Sequence, residues 1–400
     1  MDRRGVVRVL SGLLVIGAFG GVSSAVAKER GPFTAMLPRA EMRLPHEEVK
    51  KRIARYTPAD IGVPPGKADA KAQKLLKKLV EAAEAIDRVF WSQVSEEGAS
   101  LMAEMTASQD PEARDAATLL RINYGPWDRF SDNEPFIGRA GRPEGVNLYP
   151  ADFSRRELEQ WLAEHPQDRE RFTSPYTVIR REGGGLTAIP YSRAFRENLD
   201  KAAKALKEAA TLTDCKSLAK FLTARADAFA SDDYYKSDLL WMDTECPVDI
   251  AIGPYEFYED RLMGYKTTFQ AVVTMVDKDQ AARFASFNQY SRALLANLPL
   301  PDELRARVEL VRTSPITIAD EVFAAGDARA GFQIRAFVLP NDERVKVAKG
   351  TRHVILKNVV DARFEKLLVP VANEVLVPEQ AAQVSRSEER RVGKECRSRW

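Results

Sequence analysis

CPVDIAIGPYEFYED, residues 246–260, is where this sequence changes character. The segments before it are dominated by helical spacing, and from Cys246 the chain turns to a short β-type rhythm. Downstream, FQAVVTMVD (269–277), GFQIRAFVLPND (331–342) and RHVILKNVV (352–360) read as further strands, with helices expected near Asp279–Ala296 and Asp302–Arg312. Upstream, alanine- and lysine-rich stretches with apolar stripes predict helices over Phe195–Leu212 and Ser217–Phe229. Before these, YTVIRREGGGLTAIPY (176–191) reads as two strands flanking Glu182-Gly183-Gly184-Gly185, a hairpin signal. Ser154 and Glu157 form a capping box, so a helix begins there. Leu75, Leu79, Ala82, Ala83, Ile86, Val89 and Phe90 recur at helical spacing after Ala70. A further helix is expected over Pro111–Leu120, and a short one in PHEEVKKRIARY (45–56) within an otherwise proline-rich stretch. The fold class is therefore α+β, helix-dominated, with strands drawn from distant parts of the chain.

With 400 residues, 44% hydrophobic and 30% charged, the chain can bury a sizeable core. The formal charge of +2 comes from the ends: the first 27 residues carry +2 and Arg386–Trp400 carries +3, which leaves Lys28–Ser385 near −3. Lacking a basic stripe with interleaved aromatics, the body gives no basis for binding nucleic acid. Arg3, Arg4 and Arg8 followed by VLSGLLVIGAFGGVSSAVA predict a cleavable export signal over residues 1–27, with cleavage after the small residues Ala25 and Ala27. The alternative, a membrane anchor, suits the short glycine- and serine-rich run less well, so no stable anchor is expected and the compartment is periplasmic or secreted. There Cys215 and Cys246, the two cysteines of the body, are free to pair; two separate half-buried thiols are the other reading, and spacing does not choose between them.

The chemistry is sparse. Three histidines are present, His46, His165 and His353. His46-Glu47 imitates the first half of H-E-x-x-H, but that motif needs two imidazoles one turn apart, and Lys50 stands at the second position. Residues 123–136, with Asn123, Trp127, Asp128, Arg129 and Glu134, are either a binding loop or a long loop pinned by Trp127 and Phe136. Asp249, Glu256, Glu259 and Asp260 concentrate carboxylates that suit a substrate amine, although a solvated strand edge is the simpler account of the last two.

INYGPWDRF (122–130), GVNLYPADFSRRELE (145–159), RADAFASDDYYKSDLLWMD (225–243), PVDIAIGPYEFYED (247–260) and LPNDERVKVAKGTRHVILKNVV (339–360), in this order, resemble the shorter bacterial branch of the dipeptidyl peptidase III family of zinc peptidases. The likeness runs from about Glu48 to Val384. It implies a two-lobed fold with a small β-barrel or mixed sheet, and removal of dipeptides from peptide N-termini. The family's zinc ligands come from an H-E-x-x-x-H helix and a later glutamate, both following the segment that matches LLVPVANEVLVPEQAAQV; Lys51 denies His46 that longer spacing too. The resemblance places Asp249 where a glutamate receives the peptide's amino terminus, Glu256 and Tyr258 in the adjoining turn, and Asn341 where an asparagine bonds the peptide backbone. Ala251 and Val338 replace a tyrosine and an asparagine of the longer relatives. RSEERRVGKECRSRW (386–400) stands where the zinc helix is expected and resembles translated adapter sequence. The expectation is thus the front portion of an exported zinc dipeptidyl peptidase, over residues 28–385, with a non-native tail over 386–400. Zinc belongs to the full-length parent and none is expected to be held by this chain, which is expected to be inactive. The alternative is a metal-free periplasmic peptide-binding module. Peptide is the expected partner, and the sequence is silent on oligomeric state.

Overall fold

A computed structural model describes residues 42–63, 66–282, 290, 293, 297–304 and 316–391, the last seven as backbone alone. The expected export signal, the tail from Val392 onward and most of the two helices expected between Asp279 and Arg312 lie outside the described residues.

Helices dominate the first half. After α1 (His46–Ile53) comes α2 (Ala70–Val94), a 25-residue helix started by Asp69, whose carboxylate accepts the Ala72 N–H at 2.7 Å. Its expected stripe is buried: Leu79, Ala82, Ala83, Ile86, Val89 and Phe90 are all inaccessible to solvent. It is followed by α3 (Gly98–Ala107) and α4 (Pro111–Asn123), the latter with proline in its first turn and Asp110 as its cap. The Ser154 half of the expected capping box starts α5 (Arg155–Glu164), its Oγ accepting the Glu157 N–H at 3.2 Å, while the Glu157 carboxylate pairs with Arg181 instead. Strands β1 (Trp127–Asp128) and β2 (Glu134–Pro135) form a minimal pair across the 123–136 loop. After α6 (Arg169–Thr173), the hairpin forms as β3 (Thr177–Glu182) and β4 (Gly185–Pro190), turning on Gly183 and Gly184, both at positive φ. Next are α7 (Tyr191–Ala194), α8 (Arg196–Leu212), α9 (Lys216–Ser231) and α10 (Tyr235–Met242). Cys215, just before α9, is disulfide-bonded to Cys246, just before the sheet begins.

The second half builds a five-stranded mixed sheet in the order β5 (Val248–Glu256), β6 (Thr268–Val276), β7 (Ile316–Gly326), β9 (Arg352–Leu356) and β8 (Ala336–Leu339). All neighbours are antiparallel except β7 and β9. Strands β5 and β6 are buried almost end to end, because α2 packs on the sheet and joins it in one core with α8 and α9. The two outer strands approach each other again. Asn341, beyond β8, donates to the Tyr255 carbonyl of β5 at 2.8 Å, and Arg352 of β9 reaches Asp249 of β5 at 2.8 Å. The sheet therefore curls, and no backbone ladder joins β8 to β5. A satellite core of Val49, Ala116, Leu119, Leu120, Phe136 and Ile137 joins α1 to α4.

The α+β class holds, with differences in detail. Helix α3 and strand β7 were not expected. Of GFQIRAFVLPND, four residues form β8, and RHVILKNVV divides into β9 and the first four residues of α12 (Lys357–Arg363), while α11 (Glu343–Lys349) precedes β9. The chain closes with α13 (Val369–Val375) and α14 (Pro378–Arg391), which carries the first six residues of the expected foreign tail as helix.

Candidate functional site

The mouth of the curled sheet gathers polar side chains through its register. Glu256 lies opposite Thr268, while Gln270 lies opposite Gly253 on one side and Gly326 on the other. Since faces alternate with period two, Glu256, Thr268 and Gln270 share one face, and Asp327 follows directly after Gly326. A bulge between Pro254 and Glu256 marks the end of regular pairing. Thr268 Oγ1 donates to Asp327 Oδ2 at 2.7 Å and lies 3.2 Å from the Glu256 carbonyl. Asn341 arrives from beyond β8: its Nδ2 donates to the Tyr255 carbonyl and stands 3.5 Å from Glu256 Oε2.

The electrostatics follow from this crowding. Burial raises the Glu256 pKa, opposed by the amides of Asn341 and Gln270. Asp327 is pushed up to about 7, first by burial and then by the negative charge of Glu259, with Thr268 and Arg129 opposing. Gln270 is 2% exposed, its Nε2 has no partner in good hydrogen-bond geometry, and its amide is close enough to Glu256 to oppose the rise in that carboxyl's pKa. Tyr258, 75% exposed, and Phe257, 40% exposed, stand at the rim.

Of the expected peptide contacts, Glu256 and Asn341 are brought together, with Tyr258 two residues along at the rim. Asp249 is not with them. It lies seven residues up β5, roughly 20 Å along the strand, and is 5% exposed. Its Oδ2 accepts Arg352 Nη2 at 2.8 Å and its Oδ1 accepts the Ile250 N–H at 2.9 Å. Arg352 is itself fixed: Nη1 donates to the Trp241 carbonyl at 3.0 Å and to Thr244 Oγ1 at 2.7 Å, and the guanidinium lies 4.4 Å from the Trp241 ring centroid.

Glu259 and Asp260 are not a solvated edge. Glu259, 2% exposed, is gripped by Arg129 at 2.6 and 3.1 Å and by Arg142, so its pKa is lowered in spite of burial. Asp260, 3% exposed, accepts the Tyr149 hydroxyl and the N–H groups of Met263, Tyr265 and Lys266. The 123–136 loop is pinned by its own polar groups: Asp128 accepts Arg52 at 3.0 Å, Asn123 caps the Arg129 N–H, and Phe136 is fully buried.

The histidines stay apart. His46 bonds Asp115 at 2.8 Å, His165 stacks on Trp161 with centroids 4.0 Å apart, and His353 lies 3.2 Å from Thr351 Oγ1. Among the described residues no group of three or more His, Cys, Asp or Glu side chains is placed to hold a metal ion. Sequence reasoning missed Gln270 and Asp327. The available signal was one amide in the apolar run FQAVVTMV, which becomes informative once its partner strands are known.

The sequence model of peptidase family M49 matches residues 178–393. Two solved structures are similar along most of the chain: DPP III from Caldithrix abyssi, 43% identical with a TM-score of 0.80, and dipeptidyl-peptidase III from Corallococcus sp. strain EGB, 35% identical with a TM-score of 0.77. They cover 83% and 85% of this chain, and in each case 64% of the other. Among curated proteins, Nudix hydrolase 3 of Arabidopsis thaliana is 30% identical over 384 residues, covering 83% of this chain. The chain spans 49% of that relative's length.

Proposed function

Since the chain belongs to peptidase family M49, we propose that it is the peptide-holding portion of an exported zinc dipeptidyl peptidase. The observation that carries this reading is the mouth of the sheet: β8 pairs with β9 on one side alone, and Asn341 and the half-buried Glu256 stand where β8 ends. An extended peptide added antiparallel to the open side of β8 has its amino terminus beside the C-terminal end of that strand, next to these two groups. Main-chain bonds along β8 supply affinity, and the polar corner fixes where the peptide begins. A register set from the peptide's free amine is what dipeptide release requires.

The zinc of this reading would be held by residues of the parent protein beyond Ser385 and would supply Lewis-acid chemistry there. The residues described here bind and orient the peptide. Two features support a longer parent: the 64% coverage of each solved relative, and a bare aliphatic stripe of Leu367, Leu368, Val371 and Val375, 42 to 72% exposed. The Cys215–Cys246 disulfide supports export, because such bonds persist in oxidising compartments. The test is to sequence the source DNA past the codon for Ser385, express the extended protein and assay a dipeptidyl arylamide. Zinc-dependent turnover by the extended protein and none by the 400-residue chain is expected. Chelator-sensitive turnover by this chain alone contradicts the assignment of its residues to peptide holding.

A further inference from the structure

We infer that Arg344 and Tyr235 are positioning residues for the peptide-holding corner: together they set where Asn341 stands. This deepens the peptide-holding reading and rests on it. Strand β8 stops before Pro340, which has no N–H to give a ladder, and Asn341 follows on the short loop that leads into α11. A side-chain bond, Asn341 Nδ2 to the Tyr255 carbonyl at 2.8 Å, ties this loop to β5. The next residue in the chain is held more firmly. Asp342 caps α11 by accepting the Arg344 N–H at 2.8 Å, and the Arg344 guanidinium grips the same carboxylate, with Nη2 at 2.6 Å and Nε at 3.1 and 3.2 Å. That guanidinium lies in turn 4.7 Å from the ring centroid of Tyr235, the first residue of α10. Side chains thus link α10 to the residue beside Asn341.

Helix α10 is a firm base for such a link. Its Asp238 is buried and paired with the fully buried Arg225, and its Trp241, also fully buried, carries the Arg352 guanidinium 4.4 Å from its ring centroid. Among the described residues no backbone hydrogen bond joins α10 to residues 340–352, so side chains alone register the two segments against each other. Lys349 pairs with Asp243 at the far end of α11, which leaves Arg344 and Tyr235 to fix the end that carries Asn341. The Arg344 side chain is 66% exposed, and an ion pair so open to water adds little to the stability of a fold. Its consequence is local: it holds a carboxylate, and with it the neighbouring amide, in one place before a peptide arrives. Ligand groups lose affinity when the residues that contact them must first be ordered, so a corner fixed in advance binds more tightly.

The experiment titrates tetra-alanine calorimetrically into the intact chain and its variants, with a thermal melt of each. Tyr235→Leu and Arg344→Met are each expected to weaken binding about threefold, the size of one exposed ring–guanidinium contact. Their melting temperatures are expected to move by less than about 2 °C, because the pair is at the surface. Tyr235→Phe keeps the ring and is expected to bind as the unaltered protein does, while Arg344→Lys keeps the charge without the fork and is expected to fall between. In an Asn341→Ala background, Tyr235→Leu and Arg344→Met are expected to weaken binding no further, a coupling that a general loss of stability does not produce. Affinity unchanged in both single variants, or losses that simply multiply with that of Asn341→Ala, overturn the inference and leave the peptide-holding reading in place. Failure of the unaltered chain to bind tetra-alanine overturns both.

Discussion

The two ends of β5 carry the same functional group in opposite circumstances. At one end Asp249 is buried against Arg352, with every partner supplied by the protein. At the other, Glu256 sits half-buried with no ion pair among the described residues, near the Asn341 amide at 3.5 Å and the buried Gln270 amide. Burial is therefore a poor guide to a binding site here, and incomplete satisfaction is a better one. A carboxylate whose charge is matched internally stabilises the fold, whereas one left unmatched at a mouth has something to offer a ligand. The resemblance to known peptidases pointed at both residues, and the packing separates them.

The largest effect expected from this contrast is at the closed end. Arg352→Met leaves Asp249 buried without its partner and should cost about 3–5 kcal/mol, whereas Arg352→Met with Asp249→Leu should recover most of that loss. Urea titration of the two variants decides it; a single substitution costing under about 1 kcal/mol would mean that Asp249 is more accessible than its contacts imply.

Next comes the pH dependence of a carboxyl that, unlike Asp249, has an amide rather than a cation as partner. Glu321 accepts Gln333 Nε2 at 2.6 Å, and burial pushes it up to about 7. A raised carboxyl pKa means the folded state holds a proton that the unfolded state has released above about 4.5. The stability it contributes is complete in acid and is lost as pH rises through 7, by at most about 3 kcal/mol. Glu321→Gln should make the fall of thermal stability between pH 4.5 and 7 shallower, Asp327 supplying part of what remains; an unchanged slope would contradict the assigned burial. Lys266, pushed down to about 7 by burial, acts in the other direction above neutrality, so the comparison is read below it.

Between the two carboxylates on β5 lies Gly253, at φ +154, where an added Cβ would come within 2.5 Å of Arg225 Nη1. Arg225 is fully buried, paired with Asp238 and lodged among Phe221, Tyr234 and Tyr255. Gly253→Ala should therefore destabilise by about 1–3 kcal/mol, measured by thermal melting, through backbone strain and displacement of the guanidinium. The smallest effect belongs to the open end: Asn341→Ala removes its bond to the Tyr255 carbonyl and should cost about 1 kcal/mol of stability while weakening tetra-alanine binding more noticeably. A larger stability loss than that of Arg352→Met would reverse the roles assigned to the two ends.

How much of this could be read from the sequence depended on whether the deciding contact was local. The hairpin was legible because two consecutive glycines meet the positive φ angles its turn needs, and α2 because its apolar period persists for 25 residues. Strand β7 was not. Asp320 and Glu321 interrupt its apolar pattern, and what makes them tolerable there comes from far away: Lys67 reaches Asp320 at 2.6 Å, and Asn358 accepts the Glu321 N–H at 2.9 Å. Helix α3 was missed because Gly98 is its one buried residue, so no stripe announces it. At the site, Glu256, Tyr258 and Asn341 were reached through resemblance. That Asp249 is closed was invisible, because the residue that closes it lies 103 positions away. Gln270 escaped notice for a related reason: its unpartnered donor is a property of three strands together.

The most direct test is a crystal structure of the chain soaked with tetra-alanine. The peptide is expected to lie extended and antiparallel along the open side of β8, with main-chain N···O distances of about 2.7–3.2 Å and its amino terminus at the C-terminal end of that strand. A peptide bound elsewhere, with the open side of β8 bare, would contradict the peptide-holding reading.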